Sequence, residues 1–130
     1  MRAVDTNILV RFLTLDDPRQ HALVLDFIKS NTIYINKTVL MELEWVLRFS
    51  YEYSPSQIAY GMEQLIDMQT AVFEDEQPVR EALRLFVQGL DFGDAMHVAS
   101  SFACEDIVTF DKAFYKKMSA SPSQRVSLLK

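Results

Sequence analysis

Short apolar runs alternate along this chain with stretches long enough to be helices, and nothing else in the sequence restricts the fold as tightly. Ala3-Val4, Ile33-Tyr34-Ile35, Ala71-Val72-Phe73, Ile107-Val108 and Val126-Ser127-Leu128 read as strands, mostly through their β-branched and aromatic residues. Asp16-Asp17-Pro18 offers a cap and a first-turn proline ahead of Ala22, Leu23, Leu25, Phe27 and Ile28, with an end at Ser30-Asn31. Thr38 is the expected cap of a helix reaching Phe49, and Ser54-Pro55-Ser56 opens another containing Ile58, Met62, Leu65 and Ile66. Gln77 to Val87 carries Val79, Ala82, Leu83 and Phe86 on one face before Gly89 stops it. Asp91 or Gly93 begins a helix expected to run through Val98 and Phe102. Strands separated by helices of this length imply parallel crossovers, hence an α/β fold whose parallel sheet is covered on both faces.

At 130 residues the chain suits one compact domain, 1–130, since single cores commonly run about 100–150 residues. Hydrophobic residues at 49% and charged residues at 24% are ordinary for a globular protein. The one cysteine, Cys104, has no internal partner; beside Phe102 and Ala103 it is expected to be a buried thiol, in a reducing cytosol. The opening MRAVDTNILV is interrupted by Arg2 and Asp5, unlike a signal peptide, and no run approaches the roughly 20 apolar residues of a membrane span. The expectation is a cytoplasmic protein without membrane contact. A net charge of −5 argues against a module that holds nucleic acid through phosphates alone, because such proteins are usually basic. It argues less against a metal-dependent nuclease, whose clustered carboxylates are offset by divalent cations.

The acids then become the question. Asp5 follows Ala3-Val4, and Asp111 follows Ile107-Val108-Thr109-Phe110, so both fall beyond strand ends, where open α/β sheets bind ligands. Taken singly, either could be a surface-loop aspartate. Along the helix opened by Thr38, at ~100° per residue with Val39 at zero, Leu43 lies at ~40°, Val46 at ~340° and Leu47 at ~80°. Glu42 falls at ~300°, on the edge of that stripe, and Glu44 at ~140°, where it pairs with Arg48 at i,i+4. Glu42 is therefore expected to point toward the protein body, needing a metal or an arginine as partner, and Glu44 to be solvated. Asp91 and Asp94 bracket the start of DFGDAMHVASSFA. Helix capping accounts for Asp91, whereas Asp94, one turn before Val98 and on the side of Phe102, is expected to face inward. Carboxylates converging from these places would form an oxygen-rich site suited to Mg²⁺ or Mn²⁺. There is no Cys/His ligand cluster, since His21 and His97 stand apart, and no phosphate-binding glycine loop or nucleophile elbow.

The stretches VDTNILVR at 4–11, TVLMELEWVL at 38–47, DFGDAMHVA at 91–99 and VTFDKAF at 108–114 together resemble the PIN-domain family, and within it the VapC-like toxin branch. The resemblance covers essentially the whole chain. It implies a three-layer α/β/α sandwich around a central parallel sheet of about five strands, a homodimer, and a cognate antitoxin that blocks the acidic site. It carries the family's ligand acids onto Asp5, Glu42, Asp94 and Asp111, and polar residues that orient them onto Thr6, Asn7 and Thr109, with Asp91 beside them. Ala113 stands where many members carry another Asp, so one metal or two is left open.

The implied activity is Mg²⁺- or Mn²⁺-dependent endoribonuclease cleavage, with water attacking phosphorus in line to leave a 5′-phosphate and a 3′-hydroxyl. Asp5 and Asp94 would be direct ligands, Glu42 a ligand or water-orienting base, and Asp111 a ligand or a support for one. Arg11, Arg48, Lys112, Lys116 and Lys117 are candidates for guiding the RNA backbone, against a plainer reading as surface charge. A PIN nuclease of RNA processing, rather than a toxin, is the nearest alternative. A non-catalytic PIN-like module would lack the acids that are present here. A phosphoacceptor receiver domain shares the size and the acidic site, but it needs paired acids after its first strand; Asp5 stands alone, and Glu74-Asp75 matches an acceptor poorly.

Overall fold

Six helices start where a side-chain oxygen takes over a backbone N–H that helical bonding leaves orphaned. Asp5, Asp17, Asn36, Ser54, Asp91 and Asp111 each accept from a backbone N–H in the first turn that follows. The structure is a computed structural model that describes residues 1–120 and 125–130. It falls into two compact units, Met1–Glu76 and Gln77–Lys130.

The first unit holds β1 (Arg2–Ala3), α1 (Thr6–Leu13), α2 (Pro18–Ser30), β2 (Ile33–Ile35), α3 (Lys37–Phe49), α4 (Pro55–Ile66) and β3 (Ala71–Phe73). Its strands form a parallel sheet in the order β1-β2-β3, with Arg2 opposite Ile33 and Ile33 opposite Ala71. Ile33 and Ile35 of the central strand are fully buried, as are Leu40, Leu43 and Leu47 of α3 and Ile58, Met62 and Leu65 of α4. Ser54 and Gln57 form a reciprocal capping box at the start of α4, with Pro55 in its first turn.

The second unit comprises α5 (Glu76–Val87, whose first residue closes the first unit), α6 (Phe92–Ala99), β4 (Ile107–Thr109), α7 (Lys112–Met118) and β5 (Val126–Leu128). Here β4 and β5 pair in parallel, with Ile107 opposite Val126. Val79, Ala82, Leu83 and Phe86 are buried along α5, and the Phe86 ring meets Phe92 edge-on at 5.2 Å. Gly89 ends α5 with φ +112°, in the region where a side chain would be strained. Every strand pair in the described residues is parallel, as the alternation of strands and helices requires. None of the described helices is long and apolar enough to cross a membrane.

Several expectations are corrected. The α3 cap is Asn36, whose Oδ1 accepts from the Val39 N–H, while Thr38 merely donates its hydroxyl to the same oxygen. Helices α1 and α7 have no counterpart in the periodicity argument, because eight and seven residues span barely two turns. Helix α6 ends at Ala99, leaving Phe102 exposed, so Phe102 is no guide to the direction of Asp94. Cys104 is exposed rather than buried.

The largest correction concerns α3. Glu44 is buried at 4% exposure, and Glu42 is the exposed member of the pair. Both Glu44 oxygens accept from Arg48, Oε2 from Nε at 2.7 Å and Oε1 from Nη2 at 3.2 Å. This forked pairing is what makes a buried carboxylate tolerable. The buried face of α3 runs through Leu40, Leu43 and Leu47 and takes in Glu44, whereas Trp45 and Phe49, on the side of Glu42, lie at 55% and 57% exposure.

Candidate metal centre

In the first unit, Asp5 stands between β1 and α1, and its Oδ1 accepts from the Ile8 N–H at 3.3 Å. The next residue, Thr6, is buried and donates its hydroxyl to Glu42 Oε1 on α3. An exposed carboxylate is thus tied to a residue adjoining Asp5. Asn7 is exposed, and with Asp5, Arg11 and Gln20 it lines a cavity of about 420 Å³. Arg11 is already engaged, donating to Gln20, Asp16 and the Tyr51 hydroxyl.

In the second unit, Asp91 caps α6 through the Asp94 N–H at 3.2 Å, and Asp94 occupies the first turn. Asp111 caps α7 through the Phe114 N–H at 3.0 Å, while its own N–H donates to Thr109 Oγ1 at 3.0 Å. Asp94 is held above the ordinary aspartate range, first by desolvation and then by the negative charges of Asp91 and Asp111; His97 and Lys117 oppose the rise. Lys117 also donates to the Gly89 carbonyl at 3.2 Å. Lys112 and Lys116 are exposed, and Arg48 is committed to Glu44.

Capping alone explains Asp5, Asp91 and Asp111, since a carboxylate at a helix N-terminus is favoured by its bond and by the macrodipole. It does not explain Asp94. Setting this partly buried carboxylate within the field of two others opposes folding, and a divalent cation would reverse the sign of that interaction. The donors are all oxygens, as a hard cation such as Mg²⁺ or Mn²⁺ requires, and each capping acid commits one oxygen to its cap. The donor chemistry therefore fits a divalent ion. Among the described residues, however, no three His, Cys, Asp or Glu side chains are gathered into a ready ligand cluster. The arrangement shown is Glu42 tied to Thr6 in one unit, and Asp94 beside its cap Asp91 and within the charge field of Asp111 in the other.

The pairing of Glu44 with Arg48 is expected from its i,i+4 spacing, but its burial is not, nor are the charges of His97 and Lys117 around Asp94. The i,i+3 spacing of Asp94 and His97 was legible; the approach of Lys117 was not, because it depends on how α6 and α7 pack.

Comparison with curated proteins finds no match. The family model described as PIN domain matches residues 2–118, a span that includes Asp5, Glu42, Asp91, Asp94 and Asp111. With that match, a fold built on parallel strands and acids set at strand ends and helix starts, the chain belongs to the PIN-domain family, a family of metal-dependent nucleases.

Proposed function

We propose that this protein is an endoribonuclease dependent on Mg²⁺ or Mn²⁺, and that it acts as the toxin of a toxin–antitoxin pair. The observation carrying the nuclease reading is the PIN-domain match over residues 2–118, which takes in Asp5, Glu42, Asp94 and Asp111, with Asp94 in the first turn of α6 behind the Asp91 cap. Asp5, Glu42, Asp94 and Asp111 would hold the metal. When bound, such an ion supplies Lewis-acid polarisation of the scissile phosphate and lowers the pKa of a coordinated water. The chain's own residues do the rest. Thr6 fixes Glu42, Thr109 and the α7 cap fix Asp111, and Glu42 is exposed, where it can orient a water. Lys112 and Lys116 can meet RNA phosphates. The toxin role, the homodimer and the antitoxin partner are what the resemblance of DTN, MELE, DFGDA and TFD to VapC-like members implies, and the cytoplasmic setting rests on the single cysteine and the interrupted apolar N-terminal run.

The decisive experiment is RNA cleavage with Mg²⁺, with EDTA, and with Asp5→Asn. Cleavage is expected only in the first, and equal cleavage in all three would remove the metal-nuclease reading. The toxin role is tested separately: expression without an antitoxin should arrest growth, and Asp94→Asn should relieve the arrest. Unimpaired growth on expression of an actively cleaving wild type would favour an RNA-processing enzyme instead.

A further inference from the structure

Phe110 sits between β4 and the candidate ligand Asp111, and the residue is 76% exposed. In the same unit Phe86, Phe92 and Phe114 are all buried. The exposed residue is not on a loose end. The Asp111 N–H to Thr109 Oγ1 bond spans Phe110, and the Asp111 cap on Phe114 anchors the residues that follow. Val108, within β4, is also open at 57% exposure. On α7, Lys112 and Lys116 are exposed one turn apart, with Tyr115 at 40% exposure between them in sequence.

We propose that Phe110 is a stacking platform for one unpaired base of single-stranded RNA beside the scissile phosphate, with Lys112 and Lys116 meeting the flanking phosphates. The inference rests on the nuclease reading and adds to it a residue that holds a base. Adjacent Cα atoms lie about 3.8 Å apart, so the ring stands within a nucleotide's reach of whatever Asp111 binds. Double-stranded RNA keeps its base faces stacked within the helix, whereas unpaired bases can splay onto an aromatic ring. The charge balance points the same way. A net charge of −5 gives the chain little overall attraction for phosphates, and stacking supplies affinity that needs no positive charge.

The test is anisotropy of a labelled single-stranded RNA in EDTA, where binding is read without cleavage. Phe110→Ala should weaken binding about 5- to 150-fold, the ~1–3 kcal/mol of a stacked base converted at ~1.4 kcal/mol per tenfold. Phe110→Trp should bind like the wild type. An abasic nucleotide at one position should weaken the wild type similarly and leave Phe110→Ala unchanged, a coupling that a merely structural role would not produce. Wild-type affinity in Phe110→Ala, equal sensitivity of both proteins to the abasic scan, or no RNA binding by the wild type overturns the proposal. So does a Phe110→Ala protein whose oligomeric state falls while its RNA affinity holds, since the ring then serves a protein contact. Mg²⁺-dependent cleavage by the wild type is read in parallel: cleavage without Phe110-dependent binding defeats the stacking proposal alone, and Phe110-dependent binding without cleavage defeats the nuclease reading alone.

Discussion

Replacing Thr6 with valine removes one hydroxyl and almost nothing else. Thr6 is buried at 5% exposure, and valine has nearly its shape, so no cavity forms. What is lost is the bond from Thr6 Oγ1 to Glu42. Hydrogen bonds to charged groups contribute about 1.5–3 kcal/mol, but the released carboxylate is exposed and can bond to water, which places the expected loss near 1–1.5 kcal/mol. For 130 residues, at ~2.1 cal/mol/K of unfolding entropy per residue, that lowers Tm by about 4–6 °C. The functional cost should be larger, because a side chain that orients a metal ligand typically changes metal affinity or activity about 10- to 100-fold. Thr6→Ser keeps the donor and should retain most of both. Urea unfolding, a Mn²⁺ titration followed by thermal shift, and kcat/KM on RNA would be measured on all three proteins. A Thr6→Val protein that loses stability yet cleaves like the wild type would show that the bond is structural only. A Thr6→Ser protein as damaged as Thr6→Val would show that the hydroxyl is not the cause.

Arg48→Met strands the buried Glu44 carboxylate; breaking a buried pair costs about 3–5 kcal/mol, reduced here to roughly 1–3 because Arg48 is 41% exposed and water can enter. Adding Glu44→Leu should recover most of the loss in chemical denaturation, and a double variant as unstable as the single would contradict this account. Asp16 is held below the ordinary aspartate range, first by the Tyr51 hydroxyl at 2.6 Å, then by Thr14 and Arg11. A depressed carboxylate contributes stability above its unfolded value near 3.8 and loses it as pH falls through the lower folded value. Tyr51→Phe should therefore be less stable than the wild type at pH 7, with the gap narrowing below about pH 4; a gap constant down to acid unfolding would disprove it. Asp94→Asn should raise Tm in EDTA by removing like-charge repulsion, and abolish stabilisation by Mn²⁺; a lower Tm in EDTA would refute the reading of Asp94 as electrostatically strained. At Gly61 of α4, an added Cβ would meet Leu13 Cδ1 at 3.3 Å. Leu13 is only partly buried and borders an open groove, so Gly61→Ala should gain up to ~0.5 kcal/mol from helix propensity; a loss above ~1 kcal/mol in urea unfolding would mean that Leu13 cannot move.

The amino-acid order alone determined the five strands, the parallel class and the starts of α2, α4 and α6. These signals are local: β-branched runs, and caps such as Asp17-Pro18 and Ser54-Pro55, act within one turn of their own backbone. It also marked the acids worth following, because residues just past a strand end fall at a predictable edge of a parallel sheet. Only the tertiary structure decided which carboxylates are buried or held by a distant partner. Glu44 and Glu42 share one helix two residues apart, yet Glu44 lies in the core on Arg48, while Glu42 is exposed and bonded to Thr6 from another helix. Helical periodicity says that a face is apolar; it does not say which neighbouring elements cover it. The exposure of Phe110 and the charges around Asp94 have the same origin. Each depends on contacts between segments distant in the chain, and such contacts leave no pattern in the local sequence.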